Sequence, residues 1–115
     1  MSEEKTATVE DLGRLDVRVG RVLDVQPFPE GRYSTHIVQL DFGGELGAKK
    51  SLARLAPNYV GPELVGRLVL AVVNLPPRQI GWHQSEVLTL GVPDASGNVV
   101  LVAPVSDVPV GGRLY

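Results

Sequence analysis

The chain has no cysteine, so disulfides and thiolate metal sites are excluded, which fits a reducing compartment. Aromatic residues make up only 5%, so a core has to be built mainly from Val, Leu and Ile. Neither sign of charge is in large excess: the formal net charge is −2, which excludes a binder of polyanions that works through a strongly basic global field. Long hydrophobic runs are missing as well. The longest lies between Arg67 and Arg78, far short of the ~20 apolar residues a bilayer crossing needs. The polar, acidic first eleven residues hold no apolar segment of the signal-peptide kind. These absences predict a cytoplasmic protein with no membrane insertion.

What is present points to one β-rich domain. The 115 residues allow a single core. Valine is abundant, and 13 glycines and 9 prolines punctuate the chain at short intervals, the pattern of many short strands. Four acids against one lysine put residues 1–11 at −3 and leave the remainder at +1, which together make the overall −2. Residues 1–10 are therefore expected to be a flexible acidic tail and residues 11–115 the domain. Eight of the eleven basic residues are arginine.

The tail gives way to a short helical turn over residues 9–12, capped by Thr8, with Glu10 and Asp11 in its first turn and Gly13 closing it. Residues 16–26 alternate, with Val17, Val19, Leu23 and Val25 on one face. Val22 breaks the pattern near Gly20, and a glycine within a strand marks a bulge or sharp bend. Residues 36–42 alternate again with Val38, Leu40 and Phe42 inward, and Gly43-Gly44 signals a hairpin into a third strand over residues 45–50. Leu52 and Leu55 have helical spacing in residues 51–56, stopped by Pro57. Residues 67–73 are apolar on both faces, as in a central strand. Pro76-Pro77 then ends the ladder, and residues 74–84 read as a loop before a fifth strand at 85–90 and a sixth at 99–103.

Three strands, a short helical connection and two more strands, followed by a hairpin arm, is the order of an all-β, five-stranded OB-fold barrel. A β-sandwich is the competing architecture, but the bent first strand and the helix after strand three favour the barrel. In such barrels binding concentrates in the loops between strands one and two and strands four and five, here residues 26–35 and 74–84.

Catalysis is poorly supported. His36 and His83 lack the spacing of metal ligands, and Ser85 in His83-Gln84-Ser85-Glu86 lacks the strand-to-helix elbow of a nucleophile. No cofactor or metal is expected. The loops carry binding chemistry instead. Arg32, Arg78, Lys49 and Lys50 are candidates for a polyanion, Arg78 above all because the rigid Pro76-Pro77 precedes it and its forked donor suits phosphates and base edges. Asn74 offers an amide to a base edge. Trp82, the only tryptophan, with Ile80, Phe28 and Tyr33, offers either a stacking platform or an apolar surface for peptide side chains.

Leu15-Asp16-Val17-Arg18-Val19-Gly20 resembles the opening motif of the tRNA-binding OB-fold domains, which occur free-standing and appended to methionyl- and phenylalanyl-tRNA synthetases. Phe28-Pro29-Glu30, Leu40-Asp41-Phe42-Gly43, Glu45-Leu46-Gly47, Asn74-Leu75-Pro76-Pro77-Arg78 and Ser85-Glu86-Val87-Leu88 resemble one branch of that family, the export-related CsaA chaperones. The resemblance runs from about Asp11 to the C-terminus. It implies a homodimer whose N- and C-terminal extensions build the interface. It further implies tRNA binding without catalysis, and in that branch the binding of unfolded or pre-secretory polypeptides. Carried over position by position, it assigns Asn74, Arg78 and Ser85 to the tRNA site. The chain departs from the family at Leu88, where many members have methionine, and at Trp82, where a glycine is expected.

Overall fold

The computed structural model describes residues 6–115; the first half of the expected acidic tail, residues 1–5, lies outside the described residues. The helical turn α1, Val9–Gly13, forms where expected. Thr8 and Asp11 make a reciprocal capping box, the Thr8 hydroxyl accepting from the Asp11 amide at 3.3 Å and the Asp11 carboxylate accepting from the Thr8 amide at 2.8 Å.

The strands are β1 (Val17–Pro27), β2 (His36–Asp41), β3 (Ala48–Ala53), β4 (Leu68–Val72), β5 (Arg78–Ile80), β6 (His83–Ser85), β7 (Leu88–Thr89), β8 (Gly91–Pro93) and β9 (Val99–Leu101). Five of them form an antiparallel sheet in the order β3-β2-β1-β4-β7. The sheet curls so that its two edges nearly meet. The Ser51 and Thr89 hydroxyls bond at 2.7 Å, and the Glu86 amide donates to the Lys50 carbonyl at 2.8 Å. The result is a nearly closed five-stranded barrel filled by Val22, Leu40, Phe42, Leu55, Val69 and Ala71. Two ribbons, β5–β6 and β8–β9, stand off the barrel.

β1 is long because it serves two neighbours on one side. From Arg21 to Pro27 it pairs with β2, while its start is bonded to the C-terminal segment, with Val19 exchanging bonds with Gly111 and Gly112 and Leu114 donating to Val17. The opposite edge pairs with β4 from Val17 to Arg21. The register on β2 shifts between Val22 and Asp24. This bulge inserts Leu23 as the extra residue and resets the alternation. Val22 is therefore buried in the core and Leu23 is 47% exposed, which corrects the expectation that Leu23 shares a face with Val17 and Val19. Gly20 has a different task from marking the bulge: a Cβ there would lie 2.8 Å from the Phe42 ring.

The third strand falls later than expected, and the helix expected over residues 51–56 is absent. Ser51 and Leu52 remain in β3 because they find partners on both sides. They pair with Val38 and Ile37 of β2, and on the other edge Leu52 N–H is accepted by Ser85 Oγ at 3.1 Å. Strand bonding overrides the weak helical spacing. The helical connection between β3 and β4 shrinks to a 3₁₀ turn, Pro62–Leu64, whose buried Leu64 joins the core.

The C-terminal segment is clamped by charge. Asp16 accepts from Arg18 Nη2 at 3.2 Å and lies 3.5 Å from Arg113 Nε, while Arg18 Nη1 donates to the Gly111 carbonyl at 3.0 Å. The hydrogen bond from Arg18 holds the Asp16 carboxyl below the usual carboxylate range; burial opposes this, and the Arg18 and Arg113 charges assist it. No helix among the described residues is long and apolar enough to cross a membrane.

Candidate nucleic-acid interface

Residues 74–84 are not a plain loop. After Pro76-Pro77 the chain turns back on itself, pairing Arg78 with Ser85, Gln79 with Gln84 and Ile80 with His83. Gly81, at φ +60°, makes the turn. Trp82 lies beside it at the tip and is 93% exposed, so it does not plug the barrel.

The loop between β1 and β2 folds back toward this hairpin. The Phe28 amide donates to the Thr35 carbonyl at 2.8 Å and the Gly31 amide to the Phe28 carbonyl at 3.2 Å. Gly31 has no space for a side chain, since a Cβ would meet the Ser34 carbonyl at 2.2 Å and the Phe28 ring at 2.5 Å. The Phe28 ring is 2% exposed and meets His83 edge-on, ring centroids 5.5 Å apart at 87°. Phe28 was expected to offer apolar surface to a peptide. Its ring is instead the pin that joins the two loops.

Between the joined loops lies a cleft of about 580 Å³ lined by Tyr33, Arg32, Ile80, Trp82, Arg78 and Glu30, among others. Tyr33, 80% exposed, and Trp82 project there as aromatic surfaces, and Arg32 and Arg78 supply cations. Arg78 is aimed from beneath: its Nη2 donates to Ser85 Oγ at 3.2 Å. Ser85 itself is 1% exposed. Its hydroxyl accepts from Leu52 N–H and from Arg78 and donates to the Val87 carbonyl at 3.0 Å, which uses its one proton and both lone pairs. Ser85, expected to bond a ligand, thus has its hydroxyl fully committed and positions Arg78.

The remaining candidates divide. Lys49 and Lys50 are neighbours on β3 and point to opposite faces. Lys50 is the one that reaches the hairpin, with Nζ 3.2 Å from His83 Nδ1. An ammonium only donates, so Nδ1 is the acceptor in this contact. Asn74 lies at the other end of the hairpin stem. Its amide oxygen accepts from Asp16 N–H at 2.8 Å and its nitrogen donates to the Arg14 carbonyl at 2.9 Å, tying β4 to the start of β1.

His36 has both ring nitrogens in use. Nε2 faces the Val60 carbonyl at 3.2 Å and Nδ1 faces Thr35 Oγ1 at 2.8 Å, while that hydroxyl accepts from the Leu55 and Ala56 amides. No cluster of His, Asp or Glu among the described residues has the grouping of a metal site. His83 links Phe28 to Lys50. Arg54 escaped the sequence reading: exposed and just beyond β3, it lines a cleft with Arg78. Arg54 was hidden by the helix expected over residues 51–56.

Residues 17–113 match the model of a family described as a putative tRNA binding domain. Over 105 residues, 91% of this chain, it is 31% identical to methionine–tRNA ligase of Porphyromonas gingivalis, of which the match covers 15%. The chain thus spans about one seventh of the length of such relatives. Two solved structures are similar over nearly their whole lengths. Chaperone CsaA of Bacillus anthracis is 40% identical at a TM-score of 0.86, covering 96% of this chain and 99% of that one. The CsaA chaperone protein of Picrophilus torridus is 35% identical at 0.87, covering 96% and 100%. Both carry the same barrel.

Proposed function

Because the chain belongs to the putative tRNA binding domain family, we propose that it is a non-catalytic, cytoplasmic module that binds tRNA in the cleft between the β1–β2 loop and the β5–β6 hairpin. The observation that carries this reading is Arg78. It is exposed, free of any salt bridge among the described residues, and held by Ser85 at the edge of a cleft that also contains Arg32. Arg32 and Lys50 extend the phosphate-binding surface, while Lys49, on the opposite face of β3, adds a cation outside it. Asn74 contributes by fixing the hairpin stem to β1. Tyr33 and Trp82 stack unpaired bases.

The charge of one chain is modest, and a second copy doubles the patch by avidity. A homodimer is supported by apolar surface left on the extensions. Val9, Leu12, Leu114 and Tyr115 line one cleft, and Leu114 and Tyr115 continue into another with Pro104 and Val108. Leu114→Glu is expected to halve the mass seen by sedimentation equilibrium; an unchanged mass places the interface elsewhere.

A second reading, capture of unfolded or pre-secretory polypeptides, is favoured by the exposure of Trp82 and Tyr33 beside Ile80 and by the likeness to proteins named as chaperones. Salt separates the two. In titrations of the purified protein, tRNA affinity should fall steeply with salt, with a log–log slope of roughly −0.7 to −0.9 per phosphate neutralised. Apolar peptide capture should be flat or strengthen. A flat tRNA titration would remove the first reading.

A further inference from the structure

Arg78 lines two clefts. The second, of about 270 Å³, lies where β3 meets β7, beneath the β8–β9 ribbon. Leu52, Leu88, Val99 and Leu101 give it an aliphatic lining, and Arg54 and Arg78 line it as well. No acidic residue lines it, and neither arginine forms a salt bridge among the described residues. Two unneutralised guanidinium groups beside an aliphatic slot call for a ligand with a compact anion joined to a flat or apolar body.

The slot is built in advance. Asn58 Nδ2 donates to Asp94 at 3.0 Å and to the Val99 carbonyl at 2.9 Å, and the Tyr59 hydroxyl accepts from Leu101 N–H at 3.0 Å, so both ends of the ribbon are tied to the barrel. Gly91 keeps the wall thin, since a Cβ there would lie 2.7 Å from Val99 Cγ1.

We infer that this cleft takes the base of one unpaired nucleotide at an RNA end, with Arg54 and Arg78 holding its phosphate. The inference rests on the tRNA-binding reading, which it extends past Arg78. The volume lies just under the ~300–1,000 Å³ of pockets for drug-sized ligands, so it admits one base and not a stack. A paired base cannot enter, because its faces are covered by its neighbours. The Thr89 hydroxyl, bonded to Ser51, retains capacity to meet a base edge. A peptide C-terminal carboxylate is the rival occupant. It is satisfied by a single guanidinium fork, whereas two arginines, one of them shared with the cleft that holds Arg32, favour a phosphate.

The test uses fluorescence anisotropy of the full chain with a labelled RNA hairpin, either blunt or carrying a short single-stranded overhang. The overhang is expected to tighten binding roughly tenfold. Val92→Trp, placed on the half-exposed wall of the cleft, should abolish that gain and leave blunt binding unchanged. Arg54→Ala, at an exposed position, should reduce the gain with melting unaltered. Equal binding of both RNAs by the unmodified chain, or a gain that survives Val92→Trp, overturns the inference alone. Failure of both RNAs to bind overturns it together with the tRNA-binding reading. Displacement of the overhang RNA by a free-carboxylate peptide but not by its amide assigns the cleft to peptides and also overturns it.

Discussion

Arg78 and Ser85 face each other across the β5–β6 ribbon, and the buried hydroxyl of Ser85 carries the guanidinium of Arg78 at 3.2 Å while also closing the barrel at Leu52. One side chain therefore serves stability and binding together. Ser85→Ala should destabilise the domain by about 1–3 kcal/mol, because Leu52 N–H loses its acceptor in a buried place. It should also weaken tRNA binding, by less than loss of Arg78 itself. Urea melts and tRNA titrations of the two variants measure this; an Ser85→Ala protein as stable as the parent would show that the hydroxyl does not close the seam.

Arg78→Ala tests the cation without touching the core. Thermal stability should stay within about 0.5 kcal/mol, since the residue is exposed. The tRNA affinity should fall, and the log–log salt slope should become shallower by roughly 0.7 to 0.9. An unaltered slope would remove Arg78 from the phosphate contacts.

Trp82 is at the tip of the ribbon, and Trp82→Ala should leave the melting curve where it is. Under the peptide reading the variant should lose more affinity for an unfolded peptide than for tRNA. Equal losses would mean that both ligands depend on the shape of the ribbon and not on the indole as an apolar contact.

Acid should loosen the Asp16 clamp. The folded carboxyl titrates below its unfolded value of about 3.9. Its contribution to stability is accordingly complete above that pH and is lost as pH falls through the folded pKa. Asp16→Asn should be less stable than the parent at neutral pH, and the gap should close below about pH 4. Chemical melts at several pH values measure it; a constant gap would show that the ionised form is not what holds Arg18 and Arg113.

The strands that obey simple rules were legible in the sequence. The alternation of Val38, Leu40 and Phe42, the apolar run over residues 67–73, and the Thr8 cap all reflect neighbours close in sequence or the pattern of buried faces. Leu23 was misread because a bulge shifts parity by one residue and leaves no sign in hydrophobicity. The helix expected over residues 51–56 was misread because the edge of β3 is bonded by Ser85 and Thr89, over thirty positions away. The candidate site suffered from the same cause. Arg78 and Trp82 could be singled out as loop residues, but the burial of Phe28 and Ser85 depends on how two loops meet. Arg54 was invisible until β3 was seen to reach Ala53.

The long first strand has a consequence for how the molecule comes into being. The start of β1 is bonded to residues 111–114, and Arg18 reaches Gly111 across a separation of 93 positions. A growing chain therefore leaves this side of β1 bare until residues 111–114 have been made. So distant a closing stitch favours slow assembly and leaves an unfilled edge open to a neighbouring chain meanwhile.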